Sequence, residues 1–205
     1  MAKLNFYYGA MNSGKSAALA QTRYNYLERG GEVIVTKPSI DTKGDTRIIA
    51  RSGSIVDVDF LTTPTMNLRL QIEIIIKKRH LEATKKAHKL AILVDESQFL
   101  TEQQVDQLYE VTKDDNIPVV AYGLLTDFNR QLFPGSKRLV ELAERQDRHL
   151  VTLCHCMTQA IFNARKINGQ FVFGGEQVAI DGKDAVTYES LCGIHYLEEL
   201  RKATI

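Results

Sequence analysis

The sequence predicts an α/β fold, a mostly parallel sheet flanked by helices, with a small β-rich module behind it. Three observations carry this. Apolar strand-length runs alternate with helix-length segments over residues 1–149, the signature of a sheet covered on both faces. A glycine-lysine turn joins the first run to the first helical segment. From about residue 150 the alternation gives way to short β-like runs that hold all three cysteines. Two units are therefore expected, 1–149 and 150–205.

The elements follow in order. "KLNFYY" (3–8) reads as a short buried strand, and "KSAALAQTRYNYLER" (15–29) as a helix stopped by Gly30-Gly31. "EVIVTKP" (32–38) is a second strand, and the polar, glycine-punctuated stretch 39–54 reads as a mobile loop. "IVDVDFL" (55–61) alternates as a strand would, and residues 66–89 form one long helical candidate with a basic second half. "KLAILVDE" (89–96) is apolar on both faces until its two acids, as in a central parallel strand. Thr101 and Gln104 have the spacing of a capping box, with Leu100 and Val105 as its staple, so a helix is expected over 101–114. A strand over 116–124 and a helix over 135–146 complete the first unit. In the second, "LVTLCHC" and "AIFNARKINGQFVFG" read as strands, the latter folded at Asn168-Gly169.

Composition narrows the function classes. Twenty-six basic against 25 acidic residues leave a formal charge of +1, which offers no general attraction to nucleic acid or to a membrane surface. No apolar run is long enough to cross a bilayer and the N-terminus lacks a signal-peptide pattern, so a cytoplasmic protein is expected. Three cysteines, Cys154, Cys156 and Cys192, argue against a disulfide framework. Lys77, Lys78, Arg79, Lys85, Lys86 and Lys89 make the 66–89 segment basic. A solvated helix face suits the balanced charge better than a nucleic-acid patch.

Three constellations carry chemistry. Gly9-Ala10-Met11-Asn12-Ser13-Gly14-Lys15-Ser16 has the spacing of a phosphate-binding loop between a strand and a helix. Its backbone N–H groups and Lys15 would hold the β- and γ-phosphates of a nucleotide, and the Ser16 hydroxyl would ligate Mg²⁺. Asp95-Glu96 ends the central strand, where a Mg²⁺-organising Asp is expected. The second acid suits proton removal from an attacking alcohol and orientation of an attacking water equally. Cys154-x-Cys156 and Cys192-x-x-His195 can close a tetrahedral Zn²⁺ site of three sulfurs and one nitrogen, with His155 as a competing ligand. Four filled positions would make that zinc structural.

Together, "GAMNSGKS", "DESQF", "YGLLTDF", "CHC" and "YESLCGIH" resemble, in order and spacing, the type II thymidine kinases, over about residues 3–200. The resemblance implies ATP-dependent phosphorylation of thymidine by a homotetramer. It implies that Glu96 is the general base for the 5′-hydroxyl and that Asp95 organises Mg²⁺. Ser97 and Gln98 fall in the nucleotide-contacting segment that also holds the two acids. Phe99 and Phe128 would pack around thymine, with Met11 near its methyl group. Residues 165–188 resemble the family's lasso loop. Its main chain at Ala179, Ile180 and Asp181 would bond the base edge, with Tyr188 beside sugar and base. Asp181 stands where the family frequently has glycine, and Lys43 where it commonly has arginine. Cys154, Cys156, Cys192 and His195 match the family's structural zinc site.

Overall fold

The computed structural model describes residues 1–148, 151–175, 177 and 186–203. Its strands are β1 (Leu4–Tyr8), β2 (Glu32–Pro38), β3 (Arg47–Ile49), β4 (Ile55–Asp57), β5 (Phe60–Thr62), β6 (Leu90–Val94), β7 (Val119–Gly123) and β8 (Arg145–Arg148), then β9 (Thr152–Leu153), β10 (Gln159–Ala160), β11 (Phe162–Ile167), β12 (Gln170–Val172) and β13 (Val186–Leu191). The helices are α1 (Lys15–Glu28), α2 (Leu68–Lys78), α3 (Glu82–Lys86), α4 (Glu102–Asp114), α5 (Pro134–Leu142) and α6 (Gly193–Ala203).

Among the described residues, six strands form one parallel sheet in the order β5-β2-β6-β7-β1-β8. Period-two alternation explains why its central strand is apolar throughout. Leu90, Ile92 and Val94 of β6 face the core shared with α2, α4 and α5, whereas Ala91 and Leu93 face the core beneath α1. The capping box at Thr101 and Gln104 forms as the spacing predicts, and Leu100 and Val105 are buried in one cluster.

Behind the main sheet, β11 pairs antiparallel with β12 and with β13, and β9 pairs with β10. The hairpin turn falls at Asn168-Gly169, both at positive φ. Their outer layer is α6, and Tyr196 joins Cys154, Ala164, Leu191 and Cys192 in a small core.

Three expectations need correction. The 66–89 segment is two helices, because His80 takes φ 55 and breaks the helix while Leu81 turns into the core. The strand over 55–61 divides: β4 pairs antiparallel with β3, so part of the expected loop 39–54 is a hairpin, and Asp59 bridges to Val35 before β5 joins β2. The helix over 135–146 ends at Leu142. Glu144 exchanges hydrogen bonds with the Leu4 backbone, and β8 then covers the open edge of β1. An edge strand whose side chains, Arg145 to Arg148, are all exposed has no apolar pattern to announce it.

Candidate functional site

The strand–loop–helix turn opens the site. Asn12 and Gly14 both take positive φ, 66° and 84°, which curls the chain before α1 begins at Lys15. No acidic residue occupies the first turn of α1, so its N-terminal dipole is left for an anion. The Lys15 ammonium is buried beneath the loop and donates to the carbonyls of Ala10 at 2.9 Å and Gly9 at 3.4 Å. Burial pulls its pKa below the ordinary lysine value, against the charges of Glu96 and Asp95.

The acid pair meets this loop from β6. Ser16 Oγ donates to Asp95 Oδ2 at 3.0 Å, and Asp95 Oδ1 is buried without a hydrogen bond of normal geometry among the described residues. Such an orphaned carboxylate oxygen beside a serine hydroxyl is a donor set suited to a hard cation. Burial first, then the Glu96 charge, pushes the Asp95 carboxyl from 3.8 up to about 7, while the Ser16 hydrogen bond pulls the other way. In magnesium- and nucleotide-free protein the folded state thus holds this proton more tightly than the unfolded chain. The contribution of Asp95 to stability is fullest below pH 3.8 and is lost as pH rises through about 7. Urea midpoints of the wild type should fall across this window relative to Asp95→Asn; parallel profiles would remove Asp95 as the cause.

Glu96 takes the left-handed conformation, φ 48, costly for a residue with a Cβ and concentrated at functional sites. Its Oε2 accepts from Gln98 Nε2 at 2.6 Å, and Gln98 Oε1 accepts the Leu124 N–H at 3.0 Å. Gln98 is therefore a bracket between the two strand ends. Gly123 permits it: a Cβ there would lie 2.7 Å from Ser97 Oγ and 2.8 Å from Gln98 Oε1.

These elements share one cleft of about 800 Å³. Met11, Asn12, Gly14, Lys15, Ser16, Glu96, Gln98, Phe99, Phe128 and Tyr188 line it. Gly9, Ala10, Ser13, Asp95 and Ser97 lie buried outside that lining. Ala179, Ile180 and Asp181 fall outside the described residues. The aromatic end is braced from below: the Arg165 guanidinium sits 3.6 Å from the Phe128 ring centre and 5.8 Å from that of Tyr188. Asp127 accepts the N–H groups of Asn129 and Gln131, both at 2.8 Å, and so fixes the turn that carries Phe128.

At the far end of the β-rich region, Cys154, Cys156, Cys192 and His195 bring four ligand atoms within 4.8 Å of one another. His195 Nδ1 lies 3.4 Å from Cys154 Sγ and 3.2 Å from Cys192 Sγ, and the Cys156 and Cys192 sulfurs are 3.8 Å apart. Around a tetrahedral zinc, neighbouring ligand atoms are separated by about 3.5–3.8 Å, so the set fits a structural metal. The His195 backbone N–H draws the Cys192 thiol down to about 6, towards the thiolate a metal needs. His155 is not one of the four but borders them, its Nδ1 3.8 Å from Cys154 Sγ and 3.5 Å from Glu189 Oε1.

The sequence model of a family described as Thymidine kinase matches residues 2–196. The chain belongs to the thymidine kinase family. It is 43% identical to a protein named Thymidine kinase from Legionella pneumophila, over 96% of this chain and 90% of that one. A Mannheimia succiniciproducens protein of the same name is 43% identical over 98% of both chains, and one from Rhodopirellula baltica 40% identical over 98% of this chain and 90% of its own.

The turn before α1, the acid pair and the Cys/His cluster that sequence reasoning singled out each come together in the structure, but the residues that support them were missed. Arg165, Asp127 and the bracketing role of Gln98 act through contacts between distant segments. The strand "FNARKI" did carry a signal, since Asn163 and Arg165 put two polar groups on the same face of the strand, where both are buried. The basic segment is partly spent on structure: Arg79 pairs with Glu32 and Asp59, and Lys85 with Asp115. Among the described residues no helix is long and apolar enough to cross a membrane.

Proposed function

We propose that this chain transfers the γ-phosphoryl group of ATP to the 5′-hydroxyl of thymidine, giving dTMP. The observation that carries the reading is the single cleft in which a phosphate loop, Glu96 and an aromatic wall of Phe99, Phe128 and Tyr188 meet. Residues 9–16, with Asp95, Glu96, Ser97 and Gln98 beside them, hold the triphosphate. The nucleoside base lies against Phe99, Phe128 and Met11, with Tyr188 at the sugar and the main chain of Ala179, Ile180 and Asp181 pairing its edge. Glu96, held by Gln98, accepts the proton of the 5′-hydroxyl as that oxygen attacks phosphorus. Positioning and charge complementarity supply most of the rate.

Ser16 and Asp95 are the residues that would hold Mg²⁺, which supplies charge neutralisation between the phosphates when bound with ATP. Zn²⁺ at Cys154, Cys156, Cys192 and His195 would be structural. Residues 1–149 form the nucleotide-binding domain and 150–205 the zinc and lasso domain of a cytoplasmic homotetramer that needs no nucleic acid. The test is a panel of nucleosides assayed for ATP-dependent phosphorylation. Thymidine should accept phosphate. If it does not, while DNA raises ATP hydrolysis, the reading fails.

A further inference from the structure

The β11–β13 pair has two faces with different neighbours. Ala164 and Leu191 point into the small core that holds Cys154, Cys192 and Tyr196. Asn163 and Arg165 on β11, and Tyr188 and Ser190 on β13, stand at alternate positions and so share the opposite face. The register sets Asn163 opposite Ser190 and Arg165 opposite Tyr188. Tyr188 lines the aromatic end of the cleft, where Arg165 braces it, and Asn163 also borders the cleft. Asn163 and Ser190 together reach the loop that precedes α1.

The Met11 N–H donates to Asn163 Oδ1 at 2.8 Å, and Ser190 Oγ donates to the Met11 carbonyl at 3.0 Å. One residue of the phosphate loop is thus held through both backbone polar groups by a cross-strand pair from another sheet. Both gripping residues are nearly closed to solvent, Asn163 5% and Ser190 8% exposed. Two residues beyond Met11, the Ser13 N–H bonds back to Ala10, so the gripped peptide lies inside the turn that aims the loop's amides.

We propose that Asn163 and Ser190 are positioning residues for the nucleotide, fixing the phosphate loop's curvature from outside its own motif. The inference rests on the reading that this loop holds ATP. It makes nucleotide affinity depend on a strand pair more than 150 residues downstream of the loop.

Affinity for a non-hydrolysable ATP analogue with Mg²⁺, in the absence of thymidine, tests this, beside thymidine affinity, thermal midpoint and metal content. Ser190→Ala and Asn163→Ala should each weaken analogue binding about 3- to 10-fold, the range one lost hydrogen bond supports. Ser190→Thr, which keeps a hydroxyl, should bind the analogue as the wild type does. Ser190→Ala should leave metal content unchanged and disturb the analogue more than thymidine. Unchanged analogue affinity in both alanine variants overturns the proposal. So does an equal loss of both ligands in Ser190→Ala with a falling thermal midpoint, and so does failure of the threonine variant to bind normally. Analogue binding requires no turnover, so the clamp is judged even if the wild type leaves thymidine unphosphorylated.

Discussion

Glu96→Gln should lower the rate of thymidine phosphorylation by about 10²–10⁴-fold, the span that a positioned general base supplies. Glutamine keeps the size of the side chain and an oxygen able to accept from Gln98, so the bracket at 2.6 Å has a replacement partner. What it cannot do is take up a proton. Removing the Glu96 charge also relieves Asp95, whose carboxyl that charge helps to push upward. The measurement is the turnover rate at saturating ATP and thymidine, beside ATP-analogue affinity, which should stay within about threefold. A rate within tenfold of wild type would dismiss Glu96 as the base.

Cys192→Ser should produce the largest structural effect. Cys192 follows β13 directly and begins the turn into α6, and its sulfur lies 3.2 Å from His195 Nδ1 and 3.8 Å from Cys156 Sγ. Serine offers no thiolate, and three remaining ligands leave a closed site open. Metal content should fall from about one per chain to well below it, as a four-ligand structural site requires. Without the ion, the small core around Cys154, Leu191 and Tyr196 loses its cross-link between β9 and α6. The Tyr196 hydroxyl that donates to the Phe128 carbonyl is then no longer held, which carries the damage to the aromatic wall. Thymidine affinity should drop about tenfold or more, in line with losses seen when metal supports are removed. Nucleotide affinity should drop less, by the share that the Met11 clamp transmits. A metal-free variant that binds thymidine normally would sink the structural-metal assignment.

What the sequence disclosed and what it withheld divide along the range of the interactions. The phosphate loop, Asp95-Glu96 and Cys154-x-Cys156 are short spacings, and their chemistry dictates residue types at fixed offsets. The central strand announced itself because burial on both faces leaves no polar position in "LAILV". By contrast, the Met11 clamp joins residues 152 and 179 positions apart, and no local pattern encodes such a contact. β8 escaped because an exposed edge strand can be polar at every position. "LVELAER" favours helix by propensity, and the open edge of β1 overrode it. The helix break at His80 is a single left-handed residue within a helix-forming run. The Gln98 bracket depends on where the end of β7 lies, which is a property of the sheet order alone.

That sheet order also schedules synthesis. β1 lies between Val119–Gly123 and Arg145–Arg148, its parallel neighbours. On the ribosome, β1 emerges before both neighbours: it can meet the first only once the chain extends past residue 123, and the second only past residue 148. Non-local parallel pairing of this kind folds slowly and leaves apolar edges bare in the meantime. "LNFYY" is such a segment, and a nascent chain presents it early to chaperones or to other unfinished copies. The turn that follows β1 is thus made well before the residues that complete it, and is closed only when Asn163 and Ser190 arrive.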